Sequence, residues 1–189
     1  RLRLSIQWSL CLPRHRPWRR ARRIRSLSLP VFYPQFKKLH ELKQELMDKP
    51  VLLLVANKQM IEEIVEINEK LEKLIEKFLP GPLTIIAKKK KSVPGFISKE
   101  KVAFRISGHD DARELSKKFG KAITGTSANL HGEKPAYSTE KVKEYFPGIE
   151  LIDAGTLEEK VPSTIFDLEE MKVIREGPIS EEEILKTLE

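Results

Sequence analysis

Short apolar runs alternate with amphipathic segments along most of this chain, and this alternation limits its fold more than any other feature. Six runs have the length and composition of β-strands, at residues 51–55, 83–87, 102–106, 122–124, 163–168 and 172–175. Between them, apolar residues recur at helical spacing, as Leu71, Leu74, Ile75 and Phe78 do. The last two runs are close enough to form a hairpin, which adds antiparallel pairing to the sheet. The pattern therefore predicts one α/β domain over residues 36–189, with a mixed sheet and flanking helices.

Residues that start and end helices agree with this division. A helix beginning near Phe36 should end before Lys49-Pro50, because the residue before a proline disfavours helical geometry. Asp110 is placed to cap a helix that continues to Phe119. Ser180 and Glu183 form the spacing of a capping box and predict a final helix.

The excess positive charge is confined to the first 40 residues. They contain nine arginines, two lysines and no acidic residue, whereas the other 24 basic residues are outnumbered by 28 acidic ones. The net charge of +7 therefore says little about the folded body. A single cysteine, Cys11, excludes an internal disulfide and fits a reducing compartment. No apolar run approaches the roughly 20 residues of a membrane helix, so we expect that the chain does not span a bilayer. The expected location is the cytoplasm.

Candidate ligand-binding residues lie where predicted strands end. The segment Thr124–Asn129 offers hydroxyl groups, an amide and flexible backbone N–H groups, which suit a phosphate or a carboxylate. Arg105 and Arg175 each end a strand, where a guanidinium can hold a phosphate through two hydrogen bonds. Taken alone, these residues are more typical of a plain polar turn and two exposed arginines than of a binding site. The four histidines are scattered, and the sequence has neither a Walker loop nor a metal-spaced Cys/His cluster.

Taken together and in order, these segments resemble the YrdC-like threonylcarbamoyl-AMP synthase family. The resemblance covers about residues 36–189 and rests on motifs of which each alone is weak. They are Leu39-His-Glu-Leu-Lys43 with Asp48-Lys-Pro50, Phe78-Leu-Pro-Gly-Pro-Leu-Thr84, Val102-Ala-Phe-Arg105 with His109, Thr126-Ser-Ala-Asn129 with Gly132, Ser163-Thr-Ile-Phe-Asp167 and Val173-Ile-Arg-Glu-Gly177.

The resemblance implies a twisted mixed sheet around a wide, positively lined cavity. It also implies a nucleotidyltransferase that joins L-threonine, bicarbonate and ATP, with Mg²⁺, into threonylcarbamoyl-AMP and releases pyrophosphate. A threonylcarbamoyl-transferase complex would then modify tRNA with the product.

The same resemblance assigns roles to individual residues. Those implied for ATP are Lys43, Lys49 and Arg105 at the phosphates, Ser127 and Asn129 at phosphate or ribose, and Arg175 at the nucleotide. Gly125 and Ser163 are implied near threonine.

One departure from the family falls inside this set of residues. The family's Lys-Gly-Arg-Pro stands here as Lys43-Gln44-Glu45-Leu46, so a phosphate-facing arginine is missing. A charge-assisted hydrogen bond is worth about 1.5–3 kcal/mol, which corresponds to about tenfold to a hundredfold in affinity or rate.

A second departure is the N-terminal segment, residues 1–35. The family begins with an apolar strand and a Pro-Thr-(Asp/Glu)-Thr-Val-(Tyr/His)-Gly-Leu-Gly loop, whereas this chain has Arg14-His-Arg-Pro-Trp-Arg-Arg20. Our hypothesis is a shifted reading frame. The codons CGA CAC CGT CCA TGG CGT CGG are one set that encodes residues 14–20, and read one base later this set encodes Asp-Thr-Val-His-Gly-Val-Gly. Independent isolates whose in-frame gene encodes the arginine-rich version would refute this hypothesis. A disordered RNA-binding arm and an organelle transit peptide are the other interpretations.

Two functions from different classes follow for the whole chain. The first is the synthase. The second is a catalytically impaired YrdC-like RNA-binding module, in which the basic arm supplies the affinity. A mis-assembled or inactive paralogue is a third interpretation.

Overall fold

The structure is a computed structural model that describes residues 37, 39–43, 51–149, 151 and 157–189. The predictions for the N-terminal segment, for Gln44–Leu46 and for Lys49 lie outside these residues. Residues 39–43 are helical and carry three buried side chains, Leu39, His40 and Lys43.

Six strands form one mixed sheet, which confirms the predicted fold class. They are β1 (Leu52–Val55), β2 (Leu83–Lys88), β3 (Lys101–Ile106), β4 (Ile123–Gly125), β5 (Thr164–Asp167) and β6 (Lys172–Arg175). Their spatial order is β4-β1-β3-β2-β5-β6. The pairs β1–β3 and β2–β5 are parallel, and β4–β1, β3–β2 and β5–β6 are antiparallel. The predicted hairpin of the last two strands is therefore confirmed.

Five helices lie between or after the strands in the described part of the chain. They are α1 (Lys58–Ile64), α2 (Glu69–Phe78), α3 (Asp110–Phe119), α4 (Thr139–Tyr145) and α5 (Glu181–Leu188). Helix α2 begins where the Asn68 side chain accepts a hydrogen bond from the Leu71 backbone N–H at 2.8 Å. Its predicted apolar stripe, Leu71, Leu74, Ile75 and Phe78, is buried in the core. None of the helices in the described ranges is long and apolar enough to cross a membrane.

Helix capping was predicted correctly at one end of the domain and wrongly in its middle. Ser180 caps α5, as expected, because its hydroxyl accepts from the Glu183 backbone N–H at 3.2 Å. The cap of α3 is His109 and not Asp110, which is the first residue of the helix. Asp110 instead forms an ion pair with Arg113 one turn later. A carboxylate in the first turn still favours the helix through its dipole.

Strand β3 is central in the sheet and carries the alternation that positions the site. Val102, Phe104 and Ile106 are buried in the core, whereas Lys101, Ala103 and Arg105 are partly exposed on the other face. Successive side chains of a strand point to opposite faces, so Arg105 and Lys101 share the more open face of the sheet. The two basic residues near the ends of β3, Lys101 and Arg105, therefore lie on the same face of the sheet.

Candidate substrate-binding site

Two arginines lie near each other, where β2 and β5 begin side by side. The Arg175 side chain on β6 donates two hydrogen bonds to the Ser163 carbonyl oxygen, from Nε at 3.2 Å and from Nη2 at 2.8 Å. The Nη2 group also lies 3.3 Å from the Ser163 hydroxyl. Arg105 on β3 donates from Nε to the Gly81 carbonyl oxygen at 2.7 Å. Each guanidinium is thus anchored by a backbone carbonyl and keeps other N–H groups for a ligand.

Arg105 and Arg175 bring an excess of positive charge to this place. Burial lowers the pKa of Arg105, and the nearby positive charge of Arg175 lowers it further. Burial also lowers the pKa of Arg175. Among the described residues, neither guanidinium forms an ion pair with a carboxylate. Two nearby, partly desolvated cations that have no carboxylate partner among the described residues favour binding of an anion such as a phosphate or a carboxylate.

Buried hydroxyl groups continue this cluster into the sheet. The Thr84 Oγ1 atom on β2 lies 2.9 Å from the Ser163 Oγ atom, and both residues are buried. The chain after β6 packs tightly here, since a Cβ on Gly177 would lie 2.4 Å from the Thr164 backbone nitrogen. Thr164 holds the same segment through its hydroxyl, which donates to the Ile179 carbonyl at 2.7 Å and accepts from its N–H at 3.0 Å.

A second group joins Lys43 to the loop after β4. The buried Lys43 ammonium donates to the Ser127 carbonyl at 2.7 Å, and to the Asn129 carbonyl and side-chain oxygen, both at 3.0 Å. The Ser127 hydroxyl donates to the same Asn129 side-chain oxygen at 2.6 Å. The Asn129 amide donates to the Glu133 carbonyl at 2.7 Å. Lys43 therefore holds the Ser127–Asn129 loop in place, and its direct contact with ATP phosphates stays a prediction.

Gly125 is the last residue of β4 and is buried against β1. A Cβ at this position would lie 2.4 Å from Leu54 Cδ1 and 2.8 Å from Leu54 Cγ. The absence of a side chain is thus explained by packing in the sheet. The proposed proximity of Gly125 to threonine stays a prediction.

The predicted site residues form two groups within the described part of the chain. Arg175 contacts Ser163 and has Arg105 nearby, and Lys43, Ser127 and Asn129 lie together. The first group combines residues implied for ATP with one implied for threonine, so the contacts do not separate the two substrates. The wide cavity also stays a prediction, because the loop expected to line it falls within residues 1–35.

Thr84 is the site residue to which the sequence analysis gave no role. The sequence did contain a sign of this role, because a threonine in the apolar run 83–87 needs a hydrogen-bond partner if it is buried. The partner, Ser163, is 79 positions away in the sequence, so periodicity could not identify it.

Comparison with known proteins decides the family. The model of the Sua5, YciO and YrdC proteins, which carries the description Telomere recombination, matches residues 34–177. The chain belongs to the Sua5/YciO/YrdC family. The matched region includes the site residues Thr84, Arg105 and Arg175.

Relatives within the Sua5/YciO/YrdC family carry informative names. A Methanocaldococcus jannaschii protein assigned as a threonylcarbamoyl-AMP synthase is 39% identical over 147 residues, which cover 76% of this chain and 70% of the relative. The threonylcarbamoyl-AMP synthase of Pyrococcus abyssi is 35% identical over 159 residues, or 80% of this chain and 47% of the relative. The chain thus spans about half the length of the P. abyssi protein.

The fold agrees with a solved structure of the same family. The crystal structure of P. abyssi Sua5 complexed with L-threonine superposes with a TM-score of 0.76 at 34% identity, over 83% of this chain and 48% of that one. The family resemblance inferred from the sequence motifs is therefore confirmed.

Proposed function

We propose that this chain is an L-threonylcarbamoyl-AMP synthase, a nucleotidyltransferase that uses L-threonine, bicarbonate and ATP. The observation that carries the proposal is the pair Arg105 and Arg175, two cations beside the buried Ser163 and Thr84 hydroxyl groups. Neither has a carboxylate partner in the part of the chain that the structure describes. The names of the relatives, and the L-threonine bound by P. abyssi Sua5, support this assignment.

The chemistry of the reaction matches what these residues can supply. An oxygen of threonine carbamate attacks the α-phosphorus of ATP, and the bond from that phosphorus to the pyrophosphate oxygen breaks. Negative charge then spreads over the phosphoryl oxygens and the departing pyrophosphate, so fixed positive charge and accurate positioning lower the barrier. Arg105 and Arg175 supply the charge, and the anchored loop at Ser127 and Asn129 keeps the second Asn129 amide hydrogen and the Ser127 hydroxyl oxygen for phosphate or ribose.

The remaining substrates and partners complete the proposal. We assign Mg²⁺ to the phosphate oxygens of ATP, the ligands that this ion prefers at nucleotide sites. The product is a mixed anhydride, which must be passed to an acceptor before water hydrolyses it. We propose that a threonylcarbamoyl-transferase complex takes it and modifies tRNA in the cytoplasm.

The alternative of a catalytically impaired RNA-binding module is not favoured by the relatives, whose names describe a synthase. The loss of the arginine at Gln44-Glu45 remains compatible with a slower enzyme, because Arg105 and Arg175 are both retained.

The deciding experiment is pyrophosphate release from ATP by the purified chain, with and without L-threonine and bicarbonate. A second sample carries the frame-restored N-terminus, and Arg105→Gln in each background serves as the site control. Release that requires both co-substrates and falls in Arg105→Gln supports the synthase. Activity in the restored form alone would show that residues 1–35 matter for catalysis. If neither sample releases pyrophosphate although circular dichroism shows that both are folded, the proposal is overturned.

A further inference from the structure

A strongly basic surface lies at the turn between β2 and β3, at the opposite end of that hairpin from Arg105. Residues 88–101 contain six lysines and one glutamate. A shallow depression in this region is lined by five of these lysines and two glutamates, Lys88, Lys89, Lys91, Lys99, Lys101, Glu100 and Glu169. We call these five lysines the lysine surface. Lys101 is four residues from Arg105 on β3, a separation of about 13 Å at the usual rise of a strand.

Some lysines of this region are used by the fold. Lys101 pairs with Asp167 and with Glu170, each at 2.8 Å. Lys89 donates to the Val93 carbonyl at 2.8 Å, so it closes the turn.

Three other lysines have no such use. Lys88, Lys91 and Lys99 are exposed, and none of them forms a hydrogen bond or an ion pair with a described residue. Lys88 is directly opposite Lys101 in the sheet register, but the carboxylates there pair with Lys101. The contacts among the described residues therefore make no use of the charges of Lys88, Lys91 and Lys99.

The chemistry of the surface favours a nucleic acid over a protein partner. Protein interfaces are depleted in lysine and are anchored by apolar or aromatic side chains. Here the apolar residues of the turn, Val93 and Ile97, are buried. No large exposed hydrophobic residue lies between positions 88 and 101; in the described ranges these are Phe119, Val161, Ile174 and Leu185. Flexible ammonium groups on a polar surface suit phosphodiester oxygens, which they contact as point charges without reading bases.

We propose that the lysine surface binds the phosphate backbone of RNA, through Lys88, Lys91 and Lys99, without sequence preference. This contact is separate from the reaction at Arg105 and Arg175. It places an RNA strand on the sheet face that Lys101 shares with Arg105. Contacts of this type give weak, salt-sensitive binding.

The test measures binding of a fluorescein-labelled tRNA transcript by fluorescence anisotropy over a series of salt concentrations. The full chain is compared with a triple variant, Lys88→Gln, Lys91→Gln and Lys99→Gln. Each lysine that neutralises a phosphate contributes about 0.7–0.9 to the slope of log affinity against log salt, so the slope should decrease in magnitude by about two to three. The arginine-rich segment 1–35 is present in both proteins and contributes equally to both slopes.

A matched control carries Lys117→Gln, Lys118→Gln and Lys121→Gln at the end of α3, and its slope should be that of the unmodified chain. Lysine acylation followed by mass spectrometry gives a local readout, in which RNA should protect Lys88, Lys91 and Lys99 but not the control lysines. The pyrophosphate-release rate should be the same in all three proteins, so this test is distinguishable from that of the proposed function. An unchanged slope in the first variant, an equal loss in the control, or lysines that stay reactive with RNA bound would overturn the proposal.

Discussion

The hydroxyl oxygens of Thr84 on β2 and Ser163 before β5 lie 2.9 Å apart, with both residues buried. Ser163 in turn receives the Arg175 guanidinium, so a threonine without contact to the arginine helps to orient it. We expect Thr84→Val, which keeps the shape and removes the hydroxyl, to cost about 1–3 kcal/mol of unfolding free energy. We also expect it to raise the KM for L-threonine more than it lowers kcat.

Thr84→Ser is the matched control for this prediction, because it keeps the oxygen and loses a methyl group. It should retain most of the affinity for L-threonine. Steady-state kinetics with urea denaturation on the same samples check both effects. Equal KM values for the valine and serine variants would show that the hydroxyl has only a packing role.

Arg105→Gln and Arg175→Gln should each weaken ATP binding by about tenfold to a hundredfold, as loss of a charge-assisted contact predicts. Stability should change little, because relief of repulsion within the pair opposes the loss of the hydrogen bonds to Gly81 and Ser163. Isothermal titration calorimetry with ATP and thermal denaturation measure the two quantities.

Arg113→Gln is the control for the arginine pair, because Arg113 donates to the Ser107 carbonyl and pairs with Asp110 away from Ser163. Its ATP affinity should stay within about threefold of that of the unmodified chain, because surface substitutions usually change free energies by no more than about 0.5 kcal/mol. If all three variants bind ATP equally well, the pair does not contact the nucleotide.

Lys43→Met should destabilise the domain by about 3 kcal/mol or more, because three oxygens of Ser127 and Asn129 lose their donor. In the same variant, backbone hydrogen exchange of residues 126–133 should become faster. Lys37→Met is the comparison, since Lys37 is exposed and pairs only loosely with Glu41 at 3.6 Å. Unchanged exchange in the loop would mean that Lys43 does not hold it, and a direct role at the phosphates would gain support.

Gly125→Ala should cost about 1–3 kcal/mol by overpacking against Leu54. A double-mutant cycle with Leu54→Ala separates packing from binding, because the smaller residue at position 54 makes room for the new methyl group. Gly125 has only a packing role if the double variant is as stable as Leu54→Ala and has the same KM for L-threonine as Leu54→Ala. Regained stability with a raised KM would place the glycine at the threonine end of the site.

Local patterns in the sequence determined much of this protein. The alternation of apolar runs and helical stripes predicted the mixed sheet, and the two runs around residue 170 predicted the terminal hairpin. These features depend on neighbours within one turn or one strand, so a single segment contains the information. Motif order along the chain then gave the family, which the match over residues 34–177 confirms.

Only the tertiary structure decided which side chains meet. Thr84 reaches Ser163 because β2 and β5 pair in parallel, with Leu83 beside Thr164. Lys43 reaches Ser127 and Asn129 over more than 80 positions, and it is a buried donor to that loop, a contact that the role implied for it at the ATP phosphates did not include. Such pairs follow from strand order and register, which are fixed by burial of the whole core and not by any local spacing.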